Sequence, residues 1–181
     1  RESRLPRDYP TMTYFEEMRA SPLRPEFRTF QDQWNTAAFT DRKWPDESVM
    51  RQGFNASPNV PTSFPRSYQD YGLWYANQWL KRGVGLYWDN TYPQPGFDPL
   101  TTNAYVTEDG RIQPAMNLWN QRAYHKRVWN LLQQRRRTNQ TPRPLHWSCH
   151  MTSTLLLPLH TFATAQLDHE FSLAQPASPD Y

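Results

Sequence analysis

An α/β fold built on parallel strands is the architecture this sequence predicts, and three observations carry it. Two segments of helical periodicity, near 67–82 and 115–136, alternate with a short apolar run, 84–88, and a second strand-like run, 145–149. The second helical segment is long enough to serve as a crossover between those runs, and strands separated by a long helix argue for parallel βαβ units. Each run also ends on polar residues, Asp89-Asn90 and His150, as parallel strands do where they meet their loops. A complete (β/α)8 barrel takes about 250 residues. The 181 residues here are fewer, so the expected architecture is a partial (β/α)8 TIM-type barrel: C-terminal βα units preceded by a long irregular N-terminal segment.

Residues 1–66 form that irregular segment, punctuated by Pro and Arg and belonging to the same domain. Within it Phe27, Phe30, Trp34 and Ala38 predict a helix over 26–39. The run from Asn55 to Pro61 is loop chemistry. The βα units span 67–174. Ser67 reads as an N-cap with Asp70 as a partial capping box. Tyr71, Trp74, Tyr75 and Trp79 then follow at helical spacing, and Gly83 is a stop. Val84 to Trp88 reads as a buried strand. A turn-rich stretch, 91–114, carries Pro95-Gly96, Asp98-Pro99 and Asp109-Gly110. In the second helix Tyr124, Val128, Leu131 and Leu132 share a face, and Arg135-Arg136-Arg137 suit the negative end of the helix dipole. Leu145 to Cys149 is the second strand, and 175–181 is a Pro/Ser tail.

Composition excludes several classes. The chain holds 17 prolines against 6 glycines, with 8 Trp, 10 Tyr and 9 Phe. Segments that stay disordered lack such large apolar groups. Lone Cys149 excludes an intrachain disulfide and any multi-cysteine zinc site. The longest aliphatic run, 155–159, is broken by Pro158 and is far too short to span a bilayer. A net charge of +3 with only one basic concentration, Arg135 to Arg137 with Arg143, reads as a solvated helix end, so no nucleic-acid partner is expected. There is no GxGxxG, Walker loop or GxSxG, and no cofactor is expected.

Candidate chemistry sits at the strand ends. Asp89 is the strongest candidate, because α/β barrels keep catalytic groups where strands run into their following loops. Trp88, Asn90 and Tyr92 flank it and are expected to line the site; aromatic faces suit sugar rings, whose C–H faces stack on them. In the second strand, alternation sets His146, Ser148 and His150 on one face and Trp147 and Cys149 on the other. Cys149 then turns away from both histidines, so a polar pocket lining with His150 is expected in place of a metal site. Glu170, within Asp168-His169-Glu170, is the candidate second carboxylate.

Several of these segments together resemble a family. Gly83 to Thr91 resembles the strand of glycoside-hydrolase-like barrels that runs glycine, apolar residues, tyrosine, then aspartate. Ser67 to Tyr71 precede it; Ala104-Tyr105, Glu108 to Pro114, Arg122 to Arg127 and His150-Met151-Thr152 follow in order. Over roughly 66–171 the chain resembles the C-terminal half of proteins akin to glycoside hydrolase family 123. The resemblance implies a barrel that hydrolyses O-glycosidic bonds of glycans outside the cytoplasm, secreted or periplasmic, with a carbohydrate as partner. It also implies substrate assistance, in which an Asp orients the sugar's acetamide and an adjacent Glu is the acid/base. Asp89 matches the orienting position. Asn90 stands where the acid should be, and an amide cannot act as a general acid. The proton donor is therefore expected elsewhere, with Glu170 first and Asp98 or Glu108 behind it. The alternative is a catalytically silent glycan-binding or structural module that keeps the aromatic pocket without the acid pair.

Overall fold

A computed structural model describes residues 11–16, 19–21, 24–34, 60–61, 63–93, 95–96, 98–100, 102–138, 144–150 and 156–167. Its centre is a parallel four-stranded sheet. The strands are β1 (Met12–Glu16), β4 (Gly85–Asp89), β9 (Trp147–His150) and β10 (Ala165–Leu167), side by side in that order. Every neighbouring pair is parallel. Spatial order thus follows chain order, as when successive βα units are laid down in one direction. The helices are α1 (Pro25–Trp34), α2 (Arg66–Leu80), α3 (Leu118–Thr138) and the single turn α4 (Leu157–His160).

The expected strands, and the helix that joins them, are therefore present and parallel. The supposedly irregular N-terminal segment supplies one strand of the central sheet, two short ribbon strands and a helix. Its further residues 35–59, including Ala38 and most of the Asn55 to Pro61 loop, lie outside the described residues. The turn-rich stretch after β4 holds two small antiparallel ribbons. One pairs β5 (Pro95–Gly96) with β8 (Ala115–Met116); the other pairs β6 (Tyr105–Val106) with β7 (Ile112–Gln113). A third ribbon pairs β2 (Arg19–Ala20) with β3 (Val60–Pro61). Gly110 has φ 81°, a left-handed conformation that glycine adopts without Cβ strain, and it turns the β6–β7 hairpin.

Strand alternation divides the sheet into two unlike faces. On one, Leu86, Trp88, Trp147 and Cys149 are buried against α2 and α3. Trp88 stacks on Tyr124 at 5.1 Å and meets Trp147 edge-on at 4.9 Å. Burial of each such side chain is worth at least 2 kcal/mol as an order of magnitude, roughly 25 cal/mol per Å². Gly72 lets the helices close: a Cβ there would lie 1.8 Å from Tyr124 Oη. Among the described residues, no helix is long and apolar enough to cross a membrane.

Two local expectations are corrected. Ser67 does not cap α2, which begins at Arg66 after Pro65 and has no side-chain cap. Its Oγ accepts from Trp34 Nε1 at 2.9 Å and donates to Gln33 Oε1 at 2.8 Å, so it fastens α1 to α2. Asp70 likewise pairs with Arg66 and Arg127 and closes no capping box. The second correction concerns the basic helix end. Arg135 bonds Asn77 Oδ1 at 2.8 Å, and Arg136 grips Leu145 O with two nitrogens. Both are partly buried framework contacts, and Arg137 alone of the three is exposed. Arg143 lies outside the described residues.

Candidate functional site

The sheet's other face carries Met12, Tyr14, Tyr87, Asp89, Ser148 and His150, and its chemistry gathers at the C-terminal ends of the strands. Asp89 is the last residue of β4, and His150 the last of β9. In register Tyr14 pairs with Tyr87, and Trp88 with Cys149, so the residues after each pair approach one another without any loop rearrangement. His150 Nδ1 lies 2.6 Å from Asp89 Oδ1. Tyr14 Oη donates to Asp89 Oδ2 at 2.5 Å, and the Asn90 backbone N–H donates to Oδ1 at 2.8 Å. Tyr14 stacks on Tyr87 at 5.7 Å, and Tyr87 in turn lies 6.2 Å from the His150 ring.

The electrostatics follow from these bonds. Burial by itself pushes the Asp89 carboxyl upward, because it penalises the charged form. The hydrogen bonds from Tyr14, His150 and the Asn90 amide outweigh that penalty and hold Asp89 below the usual carboxylate range. Asp89 is thus an anion at neutral pH. A carboxylate accepts only, so the short contact requires a hydrogen on His150 Nδ1. Two oxygens offer about four lone-pair sites. Three are taken, and one remains on Oδ2 for a ligand donor. The Asp89 side chain is 14% exposed and that of His150 5%, so the dyad is shielded yet reachable.

The loop after β4 is clamped by a second histidine. Asn90 adopts φ 56°, the left-handed region that asparagine tolerates, and turns the chain directly after Asp89. Thr91 then bonds His150 O through both its amide (3.1 Å) and its Oγ1 (2.6 Å). His160 Nδ1 accepts from the Leu156 amide at 3.0 Å, so its Nε2 carries the hydrogen and donates to Thr91 O at 2.9 Å. This buried link fixes the loop beside Asp89 and His150 to α4. His125 Nδ1 makes a comparable bond to Leu159 O at 2.9 Å in the core.

The expected site residues fare unequally. Asp89 and His150 come together, and Asn90 contributes its backbone amide. Tyr92 is half-buried and packs against the core. Trp88 is corrected: alternation turns it to the helix face, where it is 1% exposed among Tyr124, His125 and Trp147 and lines nothing beside Asp89. Cys149 is buried on that same helix face, away from His150. Asp98 Oδ1 accepts from the Leu100 amide in its own turn, and Glu108 sits exposed near the tip of the β6–β7 hairpin. Glu170 lies outside the described residues.

Two residues of this end of the sheet were missed. Tyr14 supplies a bond to Asp89, and Glu16 ends β1 in register with Asp89. Their signal was the β-prone run Thr11 to Phe15, hidden among prolines and arginines. Compared with protein-family models, with curated proteins and with solved structures, the chain matches none.

Proposed function

We propose that the chain is part of a (β/α)8-type barrel that acts on glycans, with Asp89 as the principal acidic residue in hydrolysis of O-glycosidic bonds. The observation that carries the reading is the ionised Asp89 at the C-terminal end of a parallel strand, held by Tyr14, His150 and the Asn90 amide with one lone-pair site to spare. Strands laid side by side in chain order fit a barrel segment, and barrels of this kind keep their chemistry at that end. An anion fixed there suits two tasks: accepting the N–H of a substrate acetamide, and stabilising the positive charge that develops on a sugar ring at the transition state.

An acid held this firmly ionised is no proton donor, so the donor is a different group. Glu170 is the candidate read from the sequence. Glu16 is the candidate read from the register, as the second acidic residue at the same end of adjacent strands. The silent glycan-binding module is the competing reading, favoured by Asn90 standing next to Asp89 in place of an acid. The carbohydrate partner and an extracytoplasmic setting belong to the same proposal.

Hydrolysis of aryl N-acetylhexosaminides by the chain and by Asp89→Asn tests it. Turnover lost by at least about a hundredfold in the variant, assayed well below its own melting temperature so that the modest loss of stability does not account for it, supports the proposal. Equal turnover in both sinks Asp89's role. Sugar binding without cleavage moves the reading to the silent module.

A further inference from the structure

On the outer side of the helix layer, remote in its chemistry from Asp89, α1 and α2 enclose a cleft of about 390 Å³. Phe30, Trp34, Tyr71, Trp74 and Tyr75 wall it, together with Glu26. The rings do not form one flat stack. Tyr71 meets Trp34 at 48° and Tyr75 at 63°, and Trp74 meets Tyr75 at 80°, each with centroids within 5.0 Å. Phe30 stacks on the buried Trp34 at 5.4 Å, so the cleft is lined by rings set at several angles, and aromatic ring faces carry negative quadrupolar potential.

Both signs of charge border the cleft, and one carboxylate oxygen is left without a partner. Glu26 Oε2 is buried and has no hydrogen-bond partner. A carboxylate oxygen left so is costly unless a cation meets it. Asp70, also at the rim, is already engaged by Arg66 and Arg127. Ser67 Oγ is occupied between Trp34 and Gln33. Tyr71 also lines the cleft. Its hydroxyl is pushed up to about 12, first by burial, then by Tyr75 and Glu26, with Arg24 opposing. Arg24 itself lies over the outer ring, its guanidinium 5.9 Å from the Tyr75 centroid.

We propose that this cleft binds a small organic cation of the quaternary ammonium class, seated on the aromatic wall with its charge toward Glu26. A primary ammonium brings three donors that need acceptors, and here Ser67 Oγ is taken by Trp34 and Gln33 while Asp70 already faces two guanidiniums at Oδ1. A trimethylammonium group has no donors and is held by ring faces and one anion, which is what the cleft offers. Its volume lies at the small-molecule end of ligand sites.

The test titrates the full chain with choline and with its neutral carbon isostere, 3,3-dimethylbutan-1-ol, at matched ionic strength. The indole N–H signals of Trp34 and Trp74 are followed by NMR. Saturable shifts with choline, with the isostere at least about tenfold weaker, are expected. Glu26→Gln is expected to weaken choline about tenfold while melting close to the parent, because the amide keeps the shape of the side chain and removes its charge. Equal affinity for choline and the isostere overturns the proposal, since the cleft would then select apolar bulk alone. It is equally overturned if neither compound gives a saturable shift well above millimolar concentration, or if Glu26→Gln binds choline as tightly as the parent.

Discussion

Replacing Asp89 by asparagine and by alanine separates the charge of this carboxylate from its hydrogen bonds. In Asp89→Asn the amide oxygen keeps accepting from His150 Nδ1 and the Asn90 amide, while the new NH2 group faces Tyr14. A hydroxyl rotates freely and can accept in its turn. What is lost is charge assistance, which roughly doubles the strength of a hydrogen bond. Tyr14 is 54% exposed, so its share is small. The expected cost is about 1–2 kcal/mol, or a fall of roughly 2–8 °C in Tm for a chain of this size. Asp89→Ala removes the acceptor altogether and strands the His150 donor, whose side chain is only 5% exposed. Its cost should be nearer 3 kcal/mol, because a buried donor left unmade loses its full solvation.

The pH dependence has a definite sign. Asp89's pKa is depressed in the native state, so its contribution is fully present above the unfolded value of about 3.9. It is lost as pH falls through the lower native value. The Tm gap between parent and Asp89→Asn, measured by calorimetry, is therefore widest near neutrality and closes in acid. The reasoning is refuted if both variants melt with the parent at pH 7, or if the gap is undiminished at about pH 2.

Trp88→Ala should cost about 3–5 kcal/mol by opening a cavity between sheet and helices, seen as a large drop in the urea midpoint. A surface-like effect below about 0.5 kcal/mol would contradict its burial. Gly72→Ala should destabilise by about 1–3 kcal/mol despite alanine's better helix propensity, because the added methyl meets the buried Tyr124 ring; thermal melts that show stabilisation would contradict the close approach of α2 and α3. Glu170→Gln and Glu16→Gln are compared on aryl glycosides of graded leaving-group ability. The variant that removes the proton donor slows poor leaving groups far more than activated ones, and a flat response in both shows that neither supplies the proton.

The two central strands and their crossover helix were legible because each is a short, mostly buried run with large apolar residues or a long periodic segment. Asp89 and His150 could be placed together because both end such strands. β1 and β10 were not legible. Tyr14 and Phe15 put aromatic rings on opposite faces of β1, which blurs the polar–apolar alternation that marks a half-buried strand. β10 is three exposed residues. Tyr14's part in the site was lost with its strand. The burial of Trp88 was legible in principle, since alternation sets it opposite Asp89 whatever the strand's exact ends. Ser67 had the chemistry of a cap, but two partners on α1, Gln33 and Trp34, hold its hydroxyl instead; such tertiary partners are invisible to local pattern.

The most direct test of the central claim follows the Asp89 carboxyl carbon by NMR through a pH titration, with and without an N-acetylhexosamine oligosaccharide. The account predicts a carboxylate that stays ionised below the usual aspartate value of about 3.9 and shifts saturably when the sugar is added. An ordinary or raised pKa, or a signal indifferent to the sugar, would contradict it.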